Sequence, residues 1–221
     1  MKKLLLVSSI AAALVAPMFA HAESRTNTAA VSGGTASAKL DFEIKIPAVL
    51  HIRIGTGNAV AATDIATVDK ITFTVPALGL GDGTIPTAGT GGESAAGAGA
   101  VTVRIFSNFG TGVSLNAASL GALTSVGGDT IPWTEIGITT SALGSTTLGY
   151  VNGTLAHPTL TATATAASGN TSVAIGVVAK LVRQEAKWTF SYKNTTTPVA
   201  GSYGAGTGGT NGQLTYTVTQ L

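Results

Sequence analysis

Residues Leu40 to Ile54, LDFEIKIPAVLHIRI, place an apolar side chain at every even position: Leu40, Phe42, Ile44, Ile46, Ala48, Leu50, Ile52 and Ile54. The odd positions read Asp41, Glu43, Lys45, Pro47, Val49, His51 and Arg53. Successive strand side chains point to opposite faces, so a period of two predicts a strand with one dry and one wet face. A helix would stack Phe42, Glu43, Ile46 and Pro47 on one stripe and mix the two classes. At roughly 3.3 Å per residue the run reaches about 50 Å, and ordinary strands stop near ten residues. Pro47 is the expected division, because it cannot donate to a ladder and is confined to edges, strand starts and bulges.

The residues before this run read as a processing signal. Lys2 and Lys3 make a charged start, Leu4 to Ala16 is a short apolar core, and Ala20-His21-Ala22 is a small-x-small cleavage site. The expected organisation is a signal peptide over 1–22, a polar flexible arm over 23–38, and one β-sandwich domain over 39–221. No later apolar run is long enough to span a bilayer. Removing Lys2 and Lys3 lowers the basic residues from twelve to ten, which equals the acidic count. A neutral chain offers no basic patch for nucleic acid. With no cysteine, the chain has no disulfide framework, zinc-thiolate site or thiol nucleophile, and stability must come from its core.

Thr, Val and Gly dominate the remainder, which suits pleated strands joined by tight turns. Val68 to Pro76 alternates Ile71, Phe73 and Val75 with Thr72 and Thr74. Leu80 to Ala100 is rich in glycine and reads as a long surface loop. Val101 to Phe109 puts Val101, Val103, Ile105 and Ser107 on one face and Arg104 on the other, and Gly110-Thr111-Gly112 predicts a hairpin into Val113 to Ala117. Ala118 to Tyr150 reads as short strands. Thr159 to Ala166 alternates, Ser172 to Val182 suits a strand buried on both faces, and Trp188, Phe190 and Tyr192 share a face. Gly212 to Leu221 closes the chain with Leu214, Tyr216 and Val218 against Thr215, Thr217 and Thr219. Nine or ten strands with frequent turn signals and no helical period predict an all-β fold, an antiparallel β-sandwich.

Few residues offer chemistry. His51 and His157 remain after cleavage and read as surface histidines; a hydrolase triad would need a serine and a carboxylate beside one of them. No G-x-S-x-G, H-E-x-x-H or EF-hand spacing occurs. Asp82 lies between glycines, where it signals a turn. The glycine-rich run 89–99 lacks the G-K-[ST] ending of a phosphate loop. Trp133, Trp188, Tyr192 and Tyr203 are candidates for a sugar-binding surface, with Trp133 the foremost possible glycan contact and Trp188 better read as core. Asn152, Asn170 and Asn194 begin N-x-[ST] triplets, which chance supplies in so Thr-rich a chain. An outer-membrane barrel would want aromatic girdles and an aromatic last residue, whereas the chain is poor in aromatics and ends in Leu221.

The leader, the early alternating strand broken by proline (Phe42 to Leu50), the segment Val101 to Leu115 and the ending Gly212-Gln-Leu-Thr-Tyr-Thr-Val-Thr219 together resemble exported fimbrial, pilin-like subunits with an immunoglobulin-like sandwich. The resemblance implies a non-enzymatic surface structural protein without cofactor or metal, found in the periplasm, at the cell surface or in a fimbrium. It implies assembly by β-strand addition with its own kind or other fimbrial subunits, assisted by a periplasmic chaperone. By position, Leu40, Phe42, Ile44 and Ile46 resemble the donor residues, and Leu214, Tyr216 and Val218 the chaperone-held strand. The alternative is a monomeric carbohydrate-binding or adhesive module.

Overall fold

The computed structural model describes residues 24–28, 32–57, 64–83, 87–94 and 97–221. The expected leader, with Ala20 and Ala22, and the expected mature start Glu23 lie outside them. Among the described residues the chain forms thirteen strands, one short 3-10 turn and no α-helix. The first strands are β1 (Leu50–Ile54), β2 (Ile71–Thr72), β3 (Thr87–Ala88), β4 (Thr90–Gly91), β5 (Ala100–Ser107) and β6 (Val113–Ala118). There follow β7 (Leu123–Thr124), β8 (Thr130–Ile131), the turn Trp133–Glu135 and β9 (Ile136–Ser141). The last are β10 (Val151–Asn152), β11 (Val173–Ile175), β12 (Val182–Tyr192) and β13 (Thr215–Gln220).

A six-stranded sheet runs β1-β5-β12-β10, with β3 and β9 also paired to β12. A three-stranded sheet runs β11-β6-β13, and two small pairs, β2-β4 and β7-β8, lie apart. All named pairings are antiparallel except the parallel β10-β12 contact. The sheets end in open edge strands, so this is not a closed barrel. No helix among the described residues is long and apolar enough to cross a membrane.

Both main sheets feed one apolar core. Val101, Val103 and Ile105 of β5, Val113 and Leu115 of β6, Ile175 of β11, and Val182, Ala186, Trp188 and Phe190 of β12 form one buried cluster, joined by Leu155. Trp188 is fully enclosed, and its indole N–H, which would otherwise be buried without a partner, donates to the Leu155 carbonyl at 2.7 Å. Tyr192 is buried on the same face, as the alternation of 188, 190 and 192 requires.

Several readings of the sequence are corrected. The run 40–54 is strand only from Leu50, on the far side of Pro47. Residues up to Pro47 and those from Ala48 form two separate units. Segment 68–76 keeps its alternation of half-buried and exposed residues, yet only Ile71–Thr72 is strand, because its partner β4 is two residues long.

The expected hairpin between β5 and β6 does not form. Both edges of β5 are taken, by β1 and β12, and residues 108–112 carry the chain into the other sheet. A glycine turn signals reversal equally for a hairpin and for such a crossing. Thr159 to Ala166 makes only the isolated bridges Thr159–Thr171 and Thr165–Ser119. The run Ser172 to Val182 is not a doubly buried strand: β11 ends at Ile175, and Ala179 and Lys180 turn the chain at φ of 52° and 65°. Val177 and Val178 are left exposed. The glycine-rich stretch 80–100, expected to be loop, contributes β3 and β4 to pairing.

Candidate assembly segments

Four large apolar side chains stand in solvent in the first unit: Leu40, Phe42, Ile44 and Ile46 are 67%, 84%, 85% and 79% exposed. No strand includes them. Between them lie Asp41, Glu43 and Lys45, of which Glu43 and Lys45 form an exposed ion pair at 3.3 Å. Burying each such apolar side chain is worth roughly 1.5–3 kcal/mol. Exposed apolar residues in so regular a row make the segment a candidate for interaction. The sequence set them on one face; nothing in the described chain covers that face.

At the other end of the chain, β13 pairs with β6 along one edge, Thr215 opposite Ala118 through Gln220 opposite Val113. Leu214, Tyr216 and Val218 are half-buried, while Thr215, Thr217 and Thr219 are exposed, so the expected alternation is realised. Tyr216 and Val218 pack against the common core. Among the described residues no other strand pairs with β13.

His157 is the correction with most chemistry. It was expected at the surface, but its ring lies among Trp188, Phe190 and Tyr216 at centroid separations of 4.6, 5.9 and 5.4 Å. Its Nδ1 is 2.6 Å from the Pro158 carbonyl, which can only accept, so Nδ1 carries the proton. Nε2 therefore accepts the Tyr216 hydroxyl at 2.8 Å. Burial lowers the His157 pKa to about 4, partly opposed by the Pro158 carbonyl, and pushes the Tyr216 phenol up. A neutral imidazole bonded to a phenol, with neither serine nor carboxylate on its ring nitrogens, clamps the edge strand rather than activating a nucleophile. His51 is half-buried on β1, its pKa lowered by desolvation and then by Arg53, against an opposing pull from Asp64.

The polar face of β5 is covered rather than wet. Arg104 donates from Nε to Glu185 at 2.8 Å and from Nη2 to the Thr147 hydroxyl at 2.6 Å, and its guanidinium lies 5.8 Å from the Tyr150 ring centroid. The Thr147 N–H donates to Glu185 at 2.7 Å. Burial, the largest influence, pushes the Glu185 carboxyl up. The Thr147 N–H, Arg104 and the Thr147 hydroxyl together outweigh it and hold the group below its usual value. Glu93, in the supposed loop, accepts from the Thr102 N–H at 3.0 Å and hydroxyl at 2.5 Å and pairs with Arg53. Period-two alternation placed Arg104 opposite the core; it carried no sign that the loop 143–150 would cover it.

Trp133 is 6% exposed and donates its indole N–H to the Gly121 carbonyl at 2.8 Å. Its ring has no free face for a glycan, which corrects the expected contact. The three N-x-[ST] asparagines serve as loop ties: Asn152 exchanges both amide bonds with the Leu143 backbone at 2.8 Å. Asn170 donates to the Ala117 carbonyl at 2.9 Å, and the buried Asn194 accepts from Gly81 at 3.0 Å. Among the described residues no group of three or more His, Cys, Asp or Glu could hold a metal ion. Set against protein-family models, curated proteins and solved structures, the chain matches none.

Proposed function

We propose that this chain is a non-enzymatic, exported surface structural protein that assembles by β-strand addition, in the manner of a fimbrial subunit with an immunoglobulin-like sandwich. The observation that carries the reading is the ribbon Leu40–Ile46, whose apolar face is 67% to 85% exposed residue by residue. A strand with one apolar face and an unsatisfied backbone gains most by adding to an open sheet edge, where main-chain hydrogen bonds supply affinity and alternate side chains fill pockets. Two largely antiparallel sheets sharing one core support the sandwich, and open edges at β1 and β13 supply acceptors. The opposing reading, a monomeric glycan-binding module, loses its named contact with the burial of Trp133.

The test compares the intact chain with one lacking residues 40–46, both expressed with their leader. Ladders on semi-native gels and fibres in electron micrographs are expected from the first and absent from the second. A discrete monomer from the intact chain at high concentration would remove the proposal.

A further inference from the structure

We propose that the ribbon Leu40–Ile46 of one copy adds antiparallel to the free edge of β1 in a second copy, Phe42 opposite Ile52, and that the exchange is reciprocal. This assignment rests on the strand-addition reading and names its acceptor.

The edge is open in the required phase. The Asn108 N–H reaches the Val49 carbonyl at 3.3 Å and the Gly55 N–H the Thr102 carbonyl at 2.8 Å, so the odd-numbered residues bond toward β5. In an antiparallel ladder the intervening residues then direct their N–H and C=O outward. Those are Leu50, Ile52 and Ile54, and among the described residues no strand other than β5 pairs with β1.

Both faces of the added strand find their complement. With Phe42 opposite Ile52, Leu40 falls opposite Ile54 and Ile44 opposite Leu50. Ile52 and Ile54 already pack against the core, and Leu50 is 40% exposed, so the ribbon would extend a dry face that now stops short. On the outer face Asp41 falls opposite Arg53 and Glu43 opposite His51. These are non-hydrogen-bonded positions, where side chains approach most closely. Arg53, whose side chain is 9% exposed and already gives Nε to the Gly55 carbonyl and Nη2 to Glu93, would meet Asp41 only at its remaining exposed edge. The edge of β13 presents only Thr215, Thr217 and Thr219 on its outer face, with no charge to select the ribbon.

The same register accounts for the proline and for the length of the run. It carries a two-fold axis through Pro47, which meets its own copy at a non-hydrogen-bonded position where its missing N–H is not required. The fifteen-residue alternation, too long for one sheet, is then used in full: Leu50–Ile54 in its own sheet and Leu40–Ile46 in its neighbour's. A reciprocal exchange closes on two copies, and fibre growth would use other edges such as β13.

The chain contains no cysteine, so single-cysteine variants of the full chain can be mixed and oxidised mildly. Glu43→Cys with His51→Cys is expected to give a disulfide-linked pair about tenfold faster than Glu43→Cys with Thr217→Cys, because the bridge needs Cα atoms within about 7 Å. Faster linkage to Thr217→Cys overturns the β1 assignment and leaves strand addition standing. Preferential linkage of Asp41→Cys to His51→Cys indicates a parallel pairing or a two-residue slip, and either overturns the register. No linkage in any mixture, with monomers in sedimentation, removes this inference and the reading beneath it. As a check free of cysteines, Glu43→Lys, which sets a cation diagonal to Arg53, should weaken association roughly two- to fivefold, and His51→Glu should restore it by giving that cation a partner directly opposite; failure of the restoration overturns the register.

Discussion

The segments 40–46 and 182–192 carry the same sequence signal and meet opposite fates. Each alternates apolar with polar side chains, Leu40, Phe42, Ile44 and Ile46 in the first, Val182, Ala186, Trp188 and Phe190 in the second, where Gln184 alone interrupts the apolar row. The second is the centre of the molecule: β12 is paired by β5 over Val182–Thr189 and by β3 over Ser191–Tyr192, and also by β9 and, briefly, β10. The first is paired by nothing in the described chain and stands in solvent. Alternation therefore specifies an amphipathic strand, while burial depends on an edge to receive it. In β12 that edge is in the same molecule; for the ribbon the proposal supplies it from another.

The largest test of this contrast is Trp188→Ala. Removing a fully enclosed indole should destabilise the second unit by about 3–5 kcal/mol, read as a shift of the urea midpoint. A loss below about 1 kcal/mol would mean that the aromatic face of β12 is not the core. Nearly as large is Arg104→Met, which leaves Glu185, wholly buried, without its cation at about 3–5 kcal/mol. The double variant Arg104→Met with Glu185→Leu should recover most of that loss, since an apolar pair of similar volume replaces a buried ion pair almost neutrally. If the double variant is as unstable as the single, the covered polar face contributes more than mutual charge compensation.

Inner-face alternation at Val101, Val103, Ile105, Trp188, Phe190 and Tyr216 was legible, because it depends only on the two-residue repeat of a strand. Pairing was not. The segment Gly110-Thr111-Gly112 reads as a hairpin, yet β5 and β6 belong to different sheets, since turn chemistry fixes a reversal and not which edge is free afterwards. Covering was not legible either: Arg104 and Glu135 lie along the chain like any solvated charge, and only loops distant in sequence, at Thr147 and Thr195, take them out of water. Of the candidate assembly residues, both sets were found by alternation. The link between Tyr216 and His157 was missed, because no local pattern joins residues so far apart.

That link gives a pH test of smaller size. The folded His157 pKa lies near 4 and the unfolded value near 6.5, so the unfolded chain takes the proton first as pH falls. Stability from this site is full above about pH 6.5 and is lost progressively down to about pH 4, by at most about 3 kcal/mol. Glu185, held below its ordinary value, acts in a lower window: its contribution persists above the unfolded carboxyl pKa and falls away as pH drops through the folded one. His157→Phe should reduce the slope of the stability profile between pH 6.5 and 4, leaving the part that the lowered pKa of His51 contributes and the steeper fall below it. An unchanged slope in that interval would show that His157 is not the group titrating.

The smallest effect on folding should come from the segment with the largest effect on association. Phe42→Ser combined with Ile44→Ser alters two of the most exposed apolar side chains in the molecule, so it removes no contact from the core. Surface changes of this kind usually move stability by no more than about 0.5 kcal/mol. The same pair of changes deletes the apolar face offered to an acceptor edge, and should abolish ladders at concentrations where the unaltered chain forms them. Melting curves of dilute protein and sedimentation of concentrated protein read the two effects separately. If the melting curve collapses as it does for Trp188→Ala, the ribbon is part of its own chain's core and the contrast with β12 disappears; if neither curve nor association changes, the exposed face is no binding surface at all.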